Sequence, residues 1–182
     1  MRRQGAFWLL LSVALAAAAV ILLLLWGRQE LRAAQSVRAA LRQVECWPGE
    51  MVSSEGVPED REYIGTLAIP ELELLLPVAA QCGDAALEKS PCRYAGSAET
   101  GKLVIAGHNY AAHFGPLRRL AGDETVELTD MKGEKLLYRV AKVEILQPWQ
   151  TEEMVNGPWD LTLFTCTSGG ERRLAVRCVQ TE

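Results

Sequence analysis

Between Trp159 and Cys178 the chain reads WDLTLFTCTSGGERRLAVRC, with a cysteine just before a Gly-Gly break and two arginines just after it. A guanidinium beside a thiol favours the thiolate, and its N–H donors can bind an oxyanion. If Gly169 and Gly170 form a two-residue hairpin loop, which suits glycine because it tolerates positive φ, the register follows. Cys166 then faces Arg173, Phe164 faces Ala175 and Thr162 faces Arg177, all on one side. Leu161 with Cys178, Leu163 with Val176, and Thr165 with Leu174 fall on the other, apolar side and belong to a core. Cys166 and Arg173 thus share the polar side, Cys178 is packing, and Arg172 stands opposite Thr167 at the turn.

A nucleophilic cysteine also wants a proton-transfer partner, and the chain has two histidines. His108 ends the strand-like run KLVIAGH, where a strand end can aim a side chain at its neighbour's end. His113 lies in the following YAAHFGPL, and a solvent-facing or local structural role is expected there. The five cysteines at 46, 82, 92, 166 and 178 include no C-x-x-C pair, which excludes a zinc ribbon or thioredoxin-type motif. Cys82 and Cys92 are either a bridge or two small buried residues.

Composition removes other classes. After Trp26 there are 17 basic and 23 acidic residues, which offers no basic face for nucleic acid. The runs PEDRE and TEE read as solvated loops, and no Gly-rich phosphate loop or metal-ligand motif is present. No cofactor and no metal are expected.

Such groups need a frame to hold them. From Tyr63 onward, seven β-like runs follow one another: GTLAI, ELLLPVA, KLVIAGH, TVELT, EKLLYRVAKVEIL, DLTLFTC and RRLAVRC. Their spacing predicts a closed or nearly closed, mainly β barrel with short helices at AALEKS and FGPLRRL. Ahead of it, Ala6–Trp26 is an uncharged apolar run of 21 residues, as a helix roughly 31 Å long and so able to cross a bilayer. The run is too long for the h-region of a signal peptide. Gln29–Val44 reads as a helical stalk, and WPGEMVSSEGVPED as a linker. The expected organisation is an anchor over 1–27, stalk and linker over 28–60, and a catalytic barrel over 61–182. A chain starting near Glu59 is accordingly expected to be soluble and active.

The order His108, then Thr-Cys-Thr at 165–167, then Arg173 ahead of LAVR resembles the sortases, membrane-anchored cysteine transpeptidases of mostly Gram-positive bacteria. The resemblance runs from YIGTLAIPELELLLPV through LVIAGHNY and DETVELTD to TLFTCTSGGERRLAVR. It implies an eight-stranded sortase barrel behind one N-terminal transmembrane helix, with the N-terminus cytoplasmic and the barrel outside the cell. It also implies Cys166 as nucleophile, His108 as catalytic histidine and Arg173 as oxyanion or substrate-backbone donor. The implied substrates are secreted proteins bearing an LPxTG-like sorting signal, and the acceptor is an amine of a peptidoglycan precursor or a pilin. The thiol-protease class of hydrolases is the matching enzyme class. The short Cys-to-Arg connection, and a sequence ending at Glu182, count against pilin-type enzymes with a second anchor and lid, leaving a class A, B or D-like enzyme. The competing readings are a tethered cysteine protease that hydrolyses peptides and a non-catalytic β-domain. A papain-like enzyme is excluded by the reversed order of cysteine and histidine.

Overall fold

Apolar residues at alternate positions make half-buried strands, and β1, Tyr63–Ile69, shows this period with Leu67 and Ile69 fully covered. The structure, a computed structural model, describes residues 2–45 and 62–181. Cys46 and the expected linker at 47–60 lie outside the described residues. After β1 come β2 (Leu74–Ala79), β3 (Cys92–Ala95), β4 (Leu103–Ala106), β5 (Thr125–Asp130), β6 (Lys135–Leu146), β7 (Leu161–Cys166) and β8 (Arg173–Thr181). They close into one barrel in the order β1-β2-β3-β4-β7-β8-β6-β5. The strand missing from the seven legible runs is β3, four residues with an arginine, too short to display an alternation. Helical turns at Asp84–Leu87 (α2) and Gly115–Arg119 fall where short helices were expected. A third helix, α3 at Thr151–Val155, was not foreseen.

The interior is apolar and includes Leu67, Ile69, Leu76, Ile105, Leu163, Val176 and Cys178. Two of the pairings that close the barrel are parallel, β2 with β3 and β4 with β7. A parallel pair needs a long crossover, and here the chain from 107 to 160 supplies it, carrying β5, β6 and α3. The pairing sets Leu103, Val104, Ile105 and Ala106 level with Leu161, Thr162, Leu163 and Phe164. All four residues of β4 are buried, so both of its faces are covered.

By compactness the chain forms two units, Met1–Arg32 and Ala33–Glu182. One helix, α1, runs Arg2–Glu45. Its segment Leu11–Val44 is long and apolar enough to cross a membrane, and Leu22, Leu23 and Leu24 are exposed. Within the second unit, the end of α1 packs on the barrel instead of standing free as a stalk. Ala33, Val37 and Ala40 are buried there, and Ala40 and Val44 join Tyr63, Ala79, Cys92 and Ala106 in one apolar cluster. Tyr63 Oη donates to Gln43 Oε1 at 3.4 Å, and Ser36 Oγ donates to the Glu88 carbonyl at 3.3 Å. A disulfide between Cys82 and Cys92 ties the β2–β3 connection to β3 beneath this helix, which decides the reading left open by spacing.

Alanine and valine at 33, 37 and 40 fall on one helical stripe, and the compact unit that holds the barrel starts at Ala33, ahead of its first strand at Tyr63. This changes the outcome expected of truncation. A protein beginning at Glu59 should unfold at lower temperature than one beginning at Ala33, by ~5–15 °C. That corresponds to a loss on the order of 2–3 kcal/mol of buried apolar surface once the ordering of the helix is charged against it. Calorimetry on the two proteins measures it, and equal melting temperatures would show that the helix contributes nothing to the fold.

Candidate active site

Strand β4 delivers His108 and strand β7 delivers Cys166, and parallel pairing puts the C-terminal ends of both at the same end of the barrel. The last pair of the ladder is Ala106 with Phe164, and the Gly107 amide extends it by donating to the Phe164 carbonyl at 3.1 Å. Extended two residues past the end of β4, the same offset would set His108 level with Cys166. On the far side, β7 and β8 pair antiparallel through Leu161–Cys178, Thr162–Arg177, Leu163–Val176, Phe164–Ala175 and Thr165–Leu174, ending with Cys166 across from Arg173. Cys166 and Arg173 therefore face each other on adjacent strands, at the barrel end where the chain leaves β4 for His108, and alternation gives the pair the face of Phe164 and Ala175. The three side chains are partly exposed, where a peptide can reach them.

The register matches the expectation, but the turn does not. Thr167 N donates to the Arg172 carbonyl at 2.9 Å, Gly170 N to the Thr167 carbonyl at 2.7 Å, and Arg172 N to Thr167 Oγ1 at 3.3 Å. The loop is thus Ser168–Glu171, four residues, with Gly170 left-handed at φ +73°. A two-residue and a four-residue loop centred on the same glycine pair give the same register, which is why the pairing survives the wrong turn. Beyond the turn, Arg173 Nη1 donates to the carbonyls of Gly170 at 3.1 Å and Arg172 at 3.3 Å.

Away from its rim this face is apolar in its middle and polar again at Thr162 and Arg177. Inward from Cys166 and Arg173 it is an apolar cluster of Val104, Leu146, Met154 and Ala175, packed by Ala95 and Phe164. Tyr94 meets Phe164 edge-on at 5.1 Å and is 46% exposed, leaving an aromatic shelf beside the site. Arg177, expected on an open polar side, is fully buried under α3. Its Nε pairs with Glu144 Oε1 at 2.9 Å, and its Nη1 reaches the Met154 carbonyl at 2.9 Å and Thr162 Oγ1 at 3.0 Å. Burial opposes ionisation of Glu144, but hydrogen bonds from Lys142 and Arg177 outweigh it and hold the carboxyl below its ordinary value. Arg177 therefore fastens α3 onto the sheet next to the site, a role that sequence alone does not distinguish from that of a surface arginine.

Of the two roles open to His113, the structure leaves the local structural one: it is completely buried, because the loop after His108 folds back onto the barrel. Its amide donates to the Tyr110 carbonyl at 3.0 Å, and the Phe114 amide donates to the His108 carbonyl at 3.0 Å. Gly107 makes room for this: a Cβ there would come within 2.6 Å of the Phe114 ring. The rings of His108 and Tyr110 lie 4.8 Å apart, Tyr110 and His113 5.5 Å, and the two imidazoles 6.4 Å. Among the described residues neither ring nitrogen of His113 has a hydrogen-bond partner. Burial, and then the charge of His108, lower its pKa from 6.5 to about 4. Two free thiols are present among the described residues, and the second, Cys178, is a core residue whose burial raises its pKa to about 12. No group of three or more His, Cys, Asp or Glu side chains among them is arranged to hold a metal ion.

A histidine whose pKa falls on folding binds fewer protons in the folded state, so its contribution is intact above 6.5 and is lost as pH drops toward 4. Across that window the protein should lose on the order of 3 kcal/mol through His113. His113→Phe keeps the ring and removes the two unpaired nitrogens. It should raise stability at pH 7 by ~1–3 kcal/mol and flatten that decline. Denaturant titrations of both proteins at pH 7, 5.5 and 4.5 check it, and an unchanged slope would place the lost protons elsewhere.

No curated protein matches the chain. Among solved structures, sortase C1 from Streptococcus suis is 29% identical, covering 66% of this chain and 74% of its own, with a TM-score of 0.58. A lid mutant of sortase A from Corynebacterium diphtheriae is 24% identical over 84% of this chain and 94% of its own, with a TM-score of 0.60. Sortase C from Clostridium perfringens, solved with a C-terminal cell wall sorting motif, is 18% identical over 85% and 90%, with a TM-score of 0.60. The last two likenesses speak for the fold. The model of the sortase domain matches residues 67–181, from the middle of β1 to the end of β8, and on that match the chain belongs to the sortase family.

Proposed function

We propose that this chain is a membrane-anchored cysteine transpeptidase that cleaves an LPxTG-like sorting signal and passes the acyl part to an amine. The observation that carries the reading is Cys166 across from Arg173 on the β7–β8 hairpin, at the barrel end where β4, from a distant part of the sequence, leads into His108. Each has the chemistry its role needs. The Cys166 thiolate attacks the scissile carbonyl. Arg173 donates hydrogen bonds from its guanidinium to the oxyanion that forms. As the tetrahedral intermediate collapses the C–N bond breaks, and His108 gives its proton to the leaving amine. That leaves a thioester on Cys166 and a neutral His108. The incoming amine attacks the thioester, its proton passes to His108, and the thiolate departs.

The surroundings fit a peptide substrate. The Tyr94–Phe164 shelf, two residues from Cys166 along β7, offers an apolar surface to a side chain of the signal. The acceptor amine comes from a peptidoglycan precursor or a pilin subunit, and α1 is the anchor, with the N-terminus cytoplasmic and the barrel outside. The Cys82–Cys92 disulfide suits that side of the membrane, since such bonds persist in oxidising compartments.

Incubation with LPxTG-like peptides, with and without added amines, tests the reading by mass spectrometry. A peptide–amine product and a thioacyl adduct on Cys166 are expected, and release of free acid alone in the presence of amine would mark a hydrolase. Cys166→Ala and His108→Ala should abolish the adduct, whereas His113→Ala should leave a substantial fraction of it. Arg173→Ala should lower kcat/KM by on the order of 10²- to 10³-fold, as loss of an oxyanion donor does. Arg173→Lys should also be poor, because a point charge does not reproduce a planar fork. Arg172→Ala should cost little, and a crippled Arg172 variant beside an active Arg173 variant would overturn the assignment.

A further inference from the structure

We propose that Gly170 is a positioning residue for Arg173, acting through the main chain of the β7–β8 turn. This inference rests on the reading of Arg173 as the oxyanion donor and says what holds it in place. An arginine side chain has many rotamers, and an unrestrained guanidinium at the end of a strand would sample most of them. Here one nitrogen, Nη1, is held by two carbonyls, those of Gly170 and Arg172. Among the described residues Nε and Nη2 have no acceptor, and no carboxylate pairs with this arginine. The anchors are therefore neutral: they fix the side chain without cancelling its charge, and they leave the remaining donors of the fork for an oxyanion.

Which carbonyls face the guanidinium is decided by the backbone of Gly170. Its φ of +73° lies in the left-handed region, which L residues with a branched Cβ avoid and asparagine tolerates. A Cβ at Gly170 would meet nothing within 4 Å, so a substitution there acts through backbone conformation alone. Gly169 supplies the internal comparison. It is not among the positive-φ glycines, and a Cβ on it would lie 3.9 Å from Glu171 Cγ, an ordinary contact. Both glycines are exposed at the tip of the hairpin, away from the barrel core.

The test is kcat and KM for one sorting peptide plus amine, on the full chain in detergent, with melting temperatures in parallel. Gly170→Val should lower kcat roughly tenfold to a hundredfold, the scale on which small misplacements of catalytic groups act, with little change in melting temperature. Gly170→Asn should restore kcat to within about threefold, because it accepts the left-handed backbone, and Gly169→Ala should match the parent protein. Combined with Arg173→Ala, Gly170→Val should add nothing, since both remove the same interaction. Gly170→Ala carries the same comparison at lower strain if the valine variant fails to fold. An Arg173→Ala protein with full activity would sink the underlying reading of Arg173. A crippled Arg173→Ala protein beside a fully active Gly170→Val, or losses that multiply in the double variant, would overturn the inference about Gly170 alone.

Discussion

Everything at the site depends on the parallel pairing of β4 with β7. Had these strands run antiparallel, His108 at the end of one and Cys166 at the end of the other would sit at opposite ends of the barrel. Parallel pairing has a cost, because the chain must travel from one end to the other before the second strand can begin. That journey, residues 107 to 160, is not idle. It closes the barrel with β5 and β6 and sets α3 on the outer face, where Met154 packs with Ala175 and Phe164. The loop that starts it carries His113 and Phe114 into the barrel mouth behind His108. The same crossover that separates histidine from cysteine in sequence therefore builds the wall around them.

How much of this the sequence reveals depends on how local the determinant is. The β7–β8 register is a nearest-neighbour property, set by a glycine pair and by alternating apolar residues. It was legible to the residue, down to Cys166 across from Arg173. The turn itself was not, because two-residue and four-residue loops about the same centre leave identical pairings on either side. β3 escaped because four residues with an arginine show no period. The burial of His113 is a tertiary property, governed by Phe114 seeking the core and by the absence of a side chain at Gly107.

The outer face of the sheet was misread for a related reason. Thr162 and Arg177 looked like a polar surface pair, and so they would be on an uncovered barrel. Instead α3 and the end of α1 each cover part of this face, one clamped by Arg177 and the other held by alanines and valines at helical spacing. A buried cation is tolerable only when its donors are occupied, and three oxygen acceptors besides Glu144 do this: two backbone carbonyls of α3 and the Thr162 hydroxyl. Such a clamp fixes a short helix that has too few residues to be stable alone.

The two free thiols show why position along a strand, and not residue type, decides chemistry here. Cys166 and Cys178 lie on adjacent strands, but on opposite faces of the sheet and at opposite ends of the pairing. Cys178 faces the interior, with Leu161 as its partner across the ladder. Burial there raises its pKa so far that thiolate is excluded at any physiological pH. Cys166 faces outward at the rim, across from a guanidinium and at the barrel end where β4 leads into His108. A one-residue slip of β7 against β8 would exchange the two faces, turning Cys166 into the core and leaving Arg173 with nothing to act on. The apolar pairs from Leu161 to Leu174 forbid that slip, because it would drive their side chains into solvent. The packing of the barrel is therefore also what aims the nucleophile.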